Sequence, residues 1–85
     1  MESALAKKII GIVAAVTRRE PETIQPDASF DELGIDSLDR INILFELESE
    51  FNVDISDEEA RGIKSPRQIV ERVEFYLEQA ERKGA

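Results

Sequence analysis

The segment Asp36-Ser37-Leu38-Asp39 contains the serine whose setting best suits covalent chemistry. It opens an apolar stretch with helical periodicity, so Ser37 is expected at the N-terminus of a helix. Free backbone N–H groups and the positive end of the helix dipole would stabilise a phosphate attached to a serine there. Without further context, Asp36 or Ser37 can equally be an ordinary N-cap, which satisfies the same N–H groups.

Nucleophilic catalysis by Ser37 is excluded by its surroundings and by the composition. The 85-residue chain has no histidine and no cysteine, and Ser37 is not in a Gly-x-Ser-x-Gly turn. The same absences exclude disulfides and thiolate metal sites. A calcium loop beginning at Asp27 fails because its sixth position, which requires glycine, is Glu32. An enzyme with paired carboxylates is not excluded by residue type, but so short a chain leaves little room for a pocket.

The periodicity of the apolar residues predicts an all-α fold, a small four-helix bundle with three main helices and one short third helix. The predicted helices run from about Ser3 to Val16, from Ser37 to Phe51, from Ser56 to about Gly62, and from Ser65 onward. Ser56 and Glu59 are spaced as a capping box at the start of the third helix. Residues 1–85 are expected to form a single domain.

A long connection, from Thr17 to Asp36, separates the first two predicted helices. Connections of this length within a compact domain are usually functional or are held in place by their own apolar residues. The residues expected to hold this loop against the helices are Ile24, Phe30 and Leu33.

The second predicted helix is more apolar than burial in a small bundle requires. On a helical wheel its apolar residues span roughly 220°, whereas a core-facing stripe needs about 100°. Ile43 and Leu47 are expected to face the core. Leu38, Ile41 and Phe45 are expected to remain partly exposed and to form a contact surface. Burial of the helix on nearly all sides is the alternative.

Charge is concentrated in the middle of the sequence. Residues 27–59 contain twelve acidic residues and one basic residue, a net charge of −11, whereas the whole chain has a net charge of −8. We expect this segment to attract basic partners and to repel nucleic acids and anionic membranes. No apolar run is long enough to span a membrane, and residues 1–3 lack the features of a signal peptide. A cytoplasmic location is therefore expected, and the chain is also expected to be a monomer.

Two stretches of the sequence together resemble the acyl carrier protein family. The first is Leu33–Asp39, which ends in Asp36-Ser37-Leu38-Asp39, and the second is Phe51–Ala60. The resemblance extends from about Lys7 to Leu77. It implies a four-helix bundle in which a phosphopantetheinyl transferase attaches 4′-phosphopantetheine from coenzyme A to Ser37. The thiol of that arm would carry acyl groups as thioesters in fatty-acid, lipid or polyketide biosynthesis. The chain itself would have no catalytic activity.

The resemblance also implies two sets of contact residues. The helix after the modified serine is the surface that acyl-processing enzymes with basic docking patches recognise. On that basis the expected partner-binding residues are Asp36, Leu38, Asp39, Arg40, Ile41, Phe45 and Glu46. Acyl chains in this family enter between the helices, and the residues expected to line that space are Phe30, Leu44, Leu47, Ile55, Ile63 and Ile69. The short third helix is expected to yield to make room.

Two features distinguish the sequence from typical fatty-acid carriers. Arg40 and Asn42, both expected at exposed positions, make the start of the second helix less acidic. The loop from Phe30 to Gly34 is also one residue shorter than in bacterial fatty-acid carriers. Both features favour a specialised carrier. The alternative function is an acidic helical adaptor that binds a basic partner without a prosthetic group, and intact mass after modification would separate the two.

Overall fold

The apolar periodicity produces four α-helices in the structure, a computed structural model that describes residues 3–84. They are α1 (Ala4–Thr17), α2 (Ser37–Phe51), α3 (Asp57–Gly62) and α4 (Pro66–Gly84), and a 3₁₀ turn, Pro21–Thr23, lies between α1 and α2. Residues 3–84 contain no strand. The predicted all-α four-helix bundle with one short helix is confirmed.

Three terminal residues, Met1, Glu2 and Ala85, lie outside the described part of the chain. The expectation that the chain lacks a signal peptide depends on the first two of them. Within residues 3–84, no helix combines the length and the apolar character needed to cross a membrane.

Side-chain caps determine where the helices begin. At α1, Ser3 Oγ accepts a hydrogen bond from the N–H of Ala6 at 3.0 Å. The predicted capping box of α3 is confirmed, since Ser56 Oγ accepts from the N–H of Glu59 at 3.1 Å and the Glu59 carboxylate accepts from the N–H of Ser56 at 3.2 Å. Caps of this kind stabilise a helix by about 1 kcal/mol each, which matters most for a helix as short as α3.

The core lies where α1 packs against α2 and α4. Its most buried large side chains have 0–1% of their surface exposed and come as pairs from the three main helices: Ile9 and Val13, Ile43 and Leu47, and Ile69 and Val73. Each pair has four-residue spacing, so each main helix buries one face. The predicted core-facing residues of α2 are thereby confirmed.

The connection between α1 and α2 is held by buried apolar side chains. Ile24 and Phe30 are buried, as predicted, and Leu33 is half-buried. Ile35, which was not predicted to hold the loop, is also buried. The N–H of Phe30 donates to the carbonyl oxygen of Lys64 at 2.8 Å, so the loop is fixed to the chain just before α4.

A second link joins this loop to α4. The guanidinium of Arg67 donates to the carboxylate of Asp27, and the N–H of Arg67 donates to the carbonyl oxygen of Pro26 at 2.9 Å. The hydrogen bond from Arg67 holds the pKa of Asp27 below its ordinary value. Because the Asp27 side chain is largely exposed and that of Arg67 partly so, the ion pair itself adds little stability, and its main effect is on the position of the loop.

Candidate functional site

Ser37 is the first residue of α2, and its side chain is exposed. The N-cap of this helix is Asp36, whose Oδ1 accepts a hydrogen bond from the N–H of Asp39 at 2.9 Å. Among the side chains that the structure describes, those of residues 3–81, the Ser37 hydroxyl takes part in no hydrogen bond. Of the two capping alternatives that the sequence left open, the structure therefore has Asp36 as the cap, and Ser37 stays free.

The chain reaches Ser37 through a tight turn at Gly34, which has a φ of +73° in the left-handed region that favours glycine. The guanidinium of Arg19 donates to the carbonyl oxygens of Leu33 and Gly34, with Nη2 3.3 Å from the latter. Next in the chain, the N–H of Ile35 donates to the carbonyl oxygen of Phe30 at 2.9 Å. Arg19 follows α1 in the sequence, and no short-range pattern connects it with this turn.

The residues at this point fit a phosphate ester on Ser37. The hydroxyl is open to solvent, and the backbone N–H groups of Ser37 and Leu38 have no acceptor within α2 because they belong to its first turn. An ester phosphate would therefore lie at the positive end of the helix dipole. The carboxylates of Asp36 and Asp39 oppose it in part, but solvent and salt screen charges at this exposed position.

An apolar surface on α2 follows Ser37. Leu38, Ile41 and Phe45 are 65%, 47% and 64% exposed, as the wheel predicted, and we call these three residues the α2 surface. Of the residues expected at its rim, Asp36 and Glu46 are exposed, while Asp39 is half-buried. The remaining large apolar side chain exposed in residues 3–84, Phe75, is on α4. Exposed apolar groups with carboxylates around them are typical of a docking surface.

Arg40 does not lie on the α2 surface, and the prediction that it is exposed is wrong. Its side chain is half-buried, with the guanidinium carbon 5.3 Å from the centroid of the Phe30 ring. Nη2 of Arg40 also lies 3.5 Å from the carbonyl oxygen of Ile63. On the helical wheel Arg40 is about 20° from Leu47, on the buried face, so the helix turns this cation inward.

Arg40 forms part of the wall of a cavity of about 20 Å³ between α2 and α3, which we call the α2–α3 cavity. Its lining residues are Phe30, Arg40, Ile43, Leu44, Ala60, Ile63 and Ile69. Phe30, Leu44, Ile63 and Ile69 were all predicted as acyl-lining residues, whereas Arg40, Ile43 and Ala60 were not. Leu47 and Ile55, the other two predicted lining residues, are buried but lie outside this cavity wall. The cavity holds little more than one water-sized group, so a longer chain must widen it.

A polar cluster ties α3 to α4. The Tyr76 hydroxyl donates to the carboxylate of Glu59, and Nη1 of Arg72 lies 3.6 Å from Glu59 Oε2. The hydrogen bond from Tyr76, assisted by those from Ser56, holds the pKa of Glu59 below its ordinary value. The same bond raises the pKa of Tyr76. The capping box made Glu59 visible in the sequence, but nothing there indicated Tyr76 as its partner.

The comparison with known proteins matches residues 7–73 to a family described as the phosphopantetheine attachment site. The chain is 38% identical over 71 residues to the acyl carrier protein of Thermosynechococcus vestitus, covering 82% of this chain and 88% of that protein. It is 34% identical over 73 residues to the acyl carrier protein of Chlorobium phaeobacteroides, covering 85% and 94%. A mitochondrial acyl carrier protein of Dictyostelium discoideum is 41% identical over 64 residues, covering 75% and 53%.

The four-helix fold and the matched region define a phosphopantetheine-attachment domain. The chain belongs to the acyl carrier protein family. The predicted carrier function and the predicted covalent 4′-phosphopantetheine are confirmed at the level of this family. The chain spans about half the length of the mitochondrial relative and most of the length of the bacterial ones.

Proposed function

We propose that Ser37 is the attachment site and that the chain presents acyl groups to enzymes of fatty-acid, lipid or polyketide biosynthesis. The observation that supports this most directly is the exposed hydroxyl of Ser37 at the first position of α2, which is free because Asp36 caps the helix. Other serines have local structural roles: Ser3, Ser29, Ser56 and Ser65 accept hydrogen bonds from backbone N–H groups three residues later.

Attachment exchanges one bond to phosphorus for another. The oxygen of Ser37 forms a bond to the phosphorus that bears the pantetheine, the pyrophosphate bond of coenzyme A breaks, and adenosine bisphosphate leaves. We assign the base that takes the hydroxyl proton to the transferase, because this chain has no histidine and no cysteine. When bound, the arm supplies a thiol that holds acyl groups as thioesters. The contribution of the chain is to fix the arm at the start of a rigid helix.

The proposed partners are a phosphopantetheinyl transferase and acyl-processing enzymes with basic docking patches. They would bind the apolar α2 surface at its centre and the carboxylates of Asp36, Asp39 and Glu46 around it, since residues 27–59 carry a net charge of −11. Arg40, counted among the contact residues from sequence, is left out of this surface because its guanidinium lies against Phe30. Leu38 is adjacent to Ser37, so a bound partner lies beside the arm.

The remaining parts of the proposal rest on the sequence. The chain has no catalytic activity of its own, forms one acyl-carrier-like domain over residues 1–85, and acts as a cytoplasmic monomer that binds neither nucleic acid nor membrane. The exposed, uncharged Asn42 near the start of α2 and the short loop from Phe30 to Gly34 support a specialised carrier dedicated to one pathway.

Intact mass tests the attachment site. The unmodified chain is incubated with coenzyme A and a phosphopantetheinyl transferase, and we expect a gain of one arm. Ser37→Ala should gain nothing, whereas Ser49→Ala, which alters another exposed serine of α2, should gain one arm as the wild type does. Modification of Ser37→Ala would overturn the assignment. A wild-type chain that gains no mass would favour the acidic adaptor without a prosthetic group.

A further inference from the structure

Arg40 occupies an unusual place for a cation in this molecule. Every other residue of the α2–α3 cavity wall is apolar: Phe30, Ile43, Leu44, Ala60, Ile63 and Ile69. The guanidinium lies over the Phe30 ring at 5.3 Å and reaches the carbonyl oxygen of Ile63, just after α3, at 3.5 Å. It thereby connects three separate parts of the chain, namely the first turn of α2, the loop before it and the end of α3.

Arg40 lies close to Ser37 along α2, so its contacts with Phe30 and Ile63 bear on the path of an arm attached to Ser37. Arg40 follows Ser37 by three residues, so it is about one helical turn further along α2, and its side chain is turned toward the cavity. Cargo that an arm on Ser37 directed into the α2–α3 cavity would meet the guanidinium, because Arg40 is part of the cavity wall. Entry beside Arg40 would break its contacts with Phe30 and Ile63.

We propose that Arg40 is a specificity-determining residue that closes the α2–α3 cavity and sets a minimum length for the acyl chains that the carrier buries. This inference rests on the proposed function. Loss of the cation–π contact and of the hydrogen bond is a fixed cost, whereas the gain from burial grows with every methylene group. The fixed cost corresponds to on the order of three buried methylenes. Short chains therefore stay outside, and longer chains displace the guanidinium and widen the cavity.

The test compares butyryl and octanoyl arms on the wild type and on Arg40→Met, whose side chain is long and unbranched but cannot form a cation–π contact. Each melting temperature is compared with that of the same variant bearing the unacylated arm. We expect the butyryl arm to leave the wild type unchanged and to raise the melting temperature of Arg40→Met by about 5 °C. The octanoyl arm should stabilise both. Arg61→Met, which removes an exposed cation from α3, should behave as the wild type does.

Three results would overturn the inference. The first is a butyryl arm that stabilises the wild type as much as it stabilises Arg40→Met. The second is an equal gain in Arg61→Met, which would assign the effect to net charge. The third needs no variant: the amide signals of Ala60 and Ile63 should shift with the octanoyl arm and not with the butyryl arm, so a shift with butyryl is contradictory. Failure of the arm to attach, seen first by intact mass, would overturn the proposed function together with this inference.

Discussion

At the scale of single residues, Gly34 determines how the chain approaches Ser37. Its φ is +73°, and a Cβ added there would lie 3.4 Å from Nη2 of Arg19. A left-handed backbone costs a residue with a side chain roughly 1–2 kcal/mol. We expect Gly34→Ala to lower the free energy of unfolding by about that amount and to slow attachment at Ser37, because a strained turn would hold the start of α2 less firmly. Urea unfolding and the rate of mass gain measure the two effects.

Gly11→Ala is the matched control for this substitution. Gly11 lies within α1, and an added Cβ would meet nothing within 4 Å. Alanine is favoured over glycine in a helix by roughly 0.5–1 kcal/mol, so Gly11→Ala should raise the free energy of unfolding and leave the attachment rate unchanged. Similar losses of stability in both variants would contradict the importance of the left-handed turn.

At the scale of elements, the two faces of α2 have different roles: the exposed face is expected to bind partners, and the buried face stabilises the fold. Phe45 is 64% exposed, whereas Leu47 is fully buried. We expect Phe45→Ala to weaken binding of a basic acyl-processing enzyme and to change the free energy of unfolding by less than about 0.5 kcal/mol. Leu47→Ala should lower that free energy by about 2–5 kcal/mol. Titration calorimetry and urea unfolding distinguish the two. Strong destabilisation by Phe45→Ala with unchanged binding would show that the α2 surface is part of the core.

The short helix α3 depends on Glu59, which both caps it and accepts from Tyr76. The pKa of Glu59 is lowered from its ordinary value of 4.5, so its ionised form stabilises the folded chain above pH 4.5, and this stabilisation is lost as the pH falls through the lowered pKa. We expect the free energy of unfolding to decrease less steeply below pH 4.5 in Glu59→Gln than in the wild type. Glu58→Gln, an exposed neighbour, should follow the wild-type slope. Identical slopes in all three proteins would exclude this role of Glu59.

At the scale of the whole molecule, the helices were predictable because their signals come from residues close in sequence. The contacts around the site were not predictable, because they join residues far apart in sequence. The bounds of α2 and the capping box at Ser56 follow from residues close in sequence. Arg40 was predicted to be exposed, and that prediction was wrong, although the residue lies only about 20° from Leu47 around the helix. An arginine can be buried in part when its stem packs on apolar groups and its head finds an aromatic ring. Phe30, which provides that ring, is ten residues earlier, and no periodicity links the two.

The charge of the whole molecule allows two explanations for binding to basic enzymes. The net charge of −8 could attract them from any side, or the −11 of residues 27–59 could direct them to α2. In either case the affinity should fall as salt rises, because added ions shorten the range of the attraction from about 10 Å at 0.1 M.

We expect Glu46→Gln, at the rim of the α2 surface, to reduce the slope of affinity against salt. Glu78→Gln removes the same charge from an exposed position on α4 and should leave that slope nearly unchanged. Equal reductions in the two variants would mean that net charge governs the attraction, whereas a reduction confined to Glu46→Gln places the partner on α2, beside Ser37.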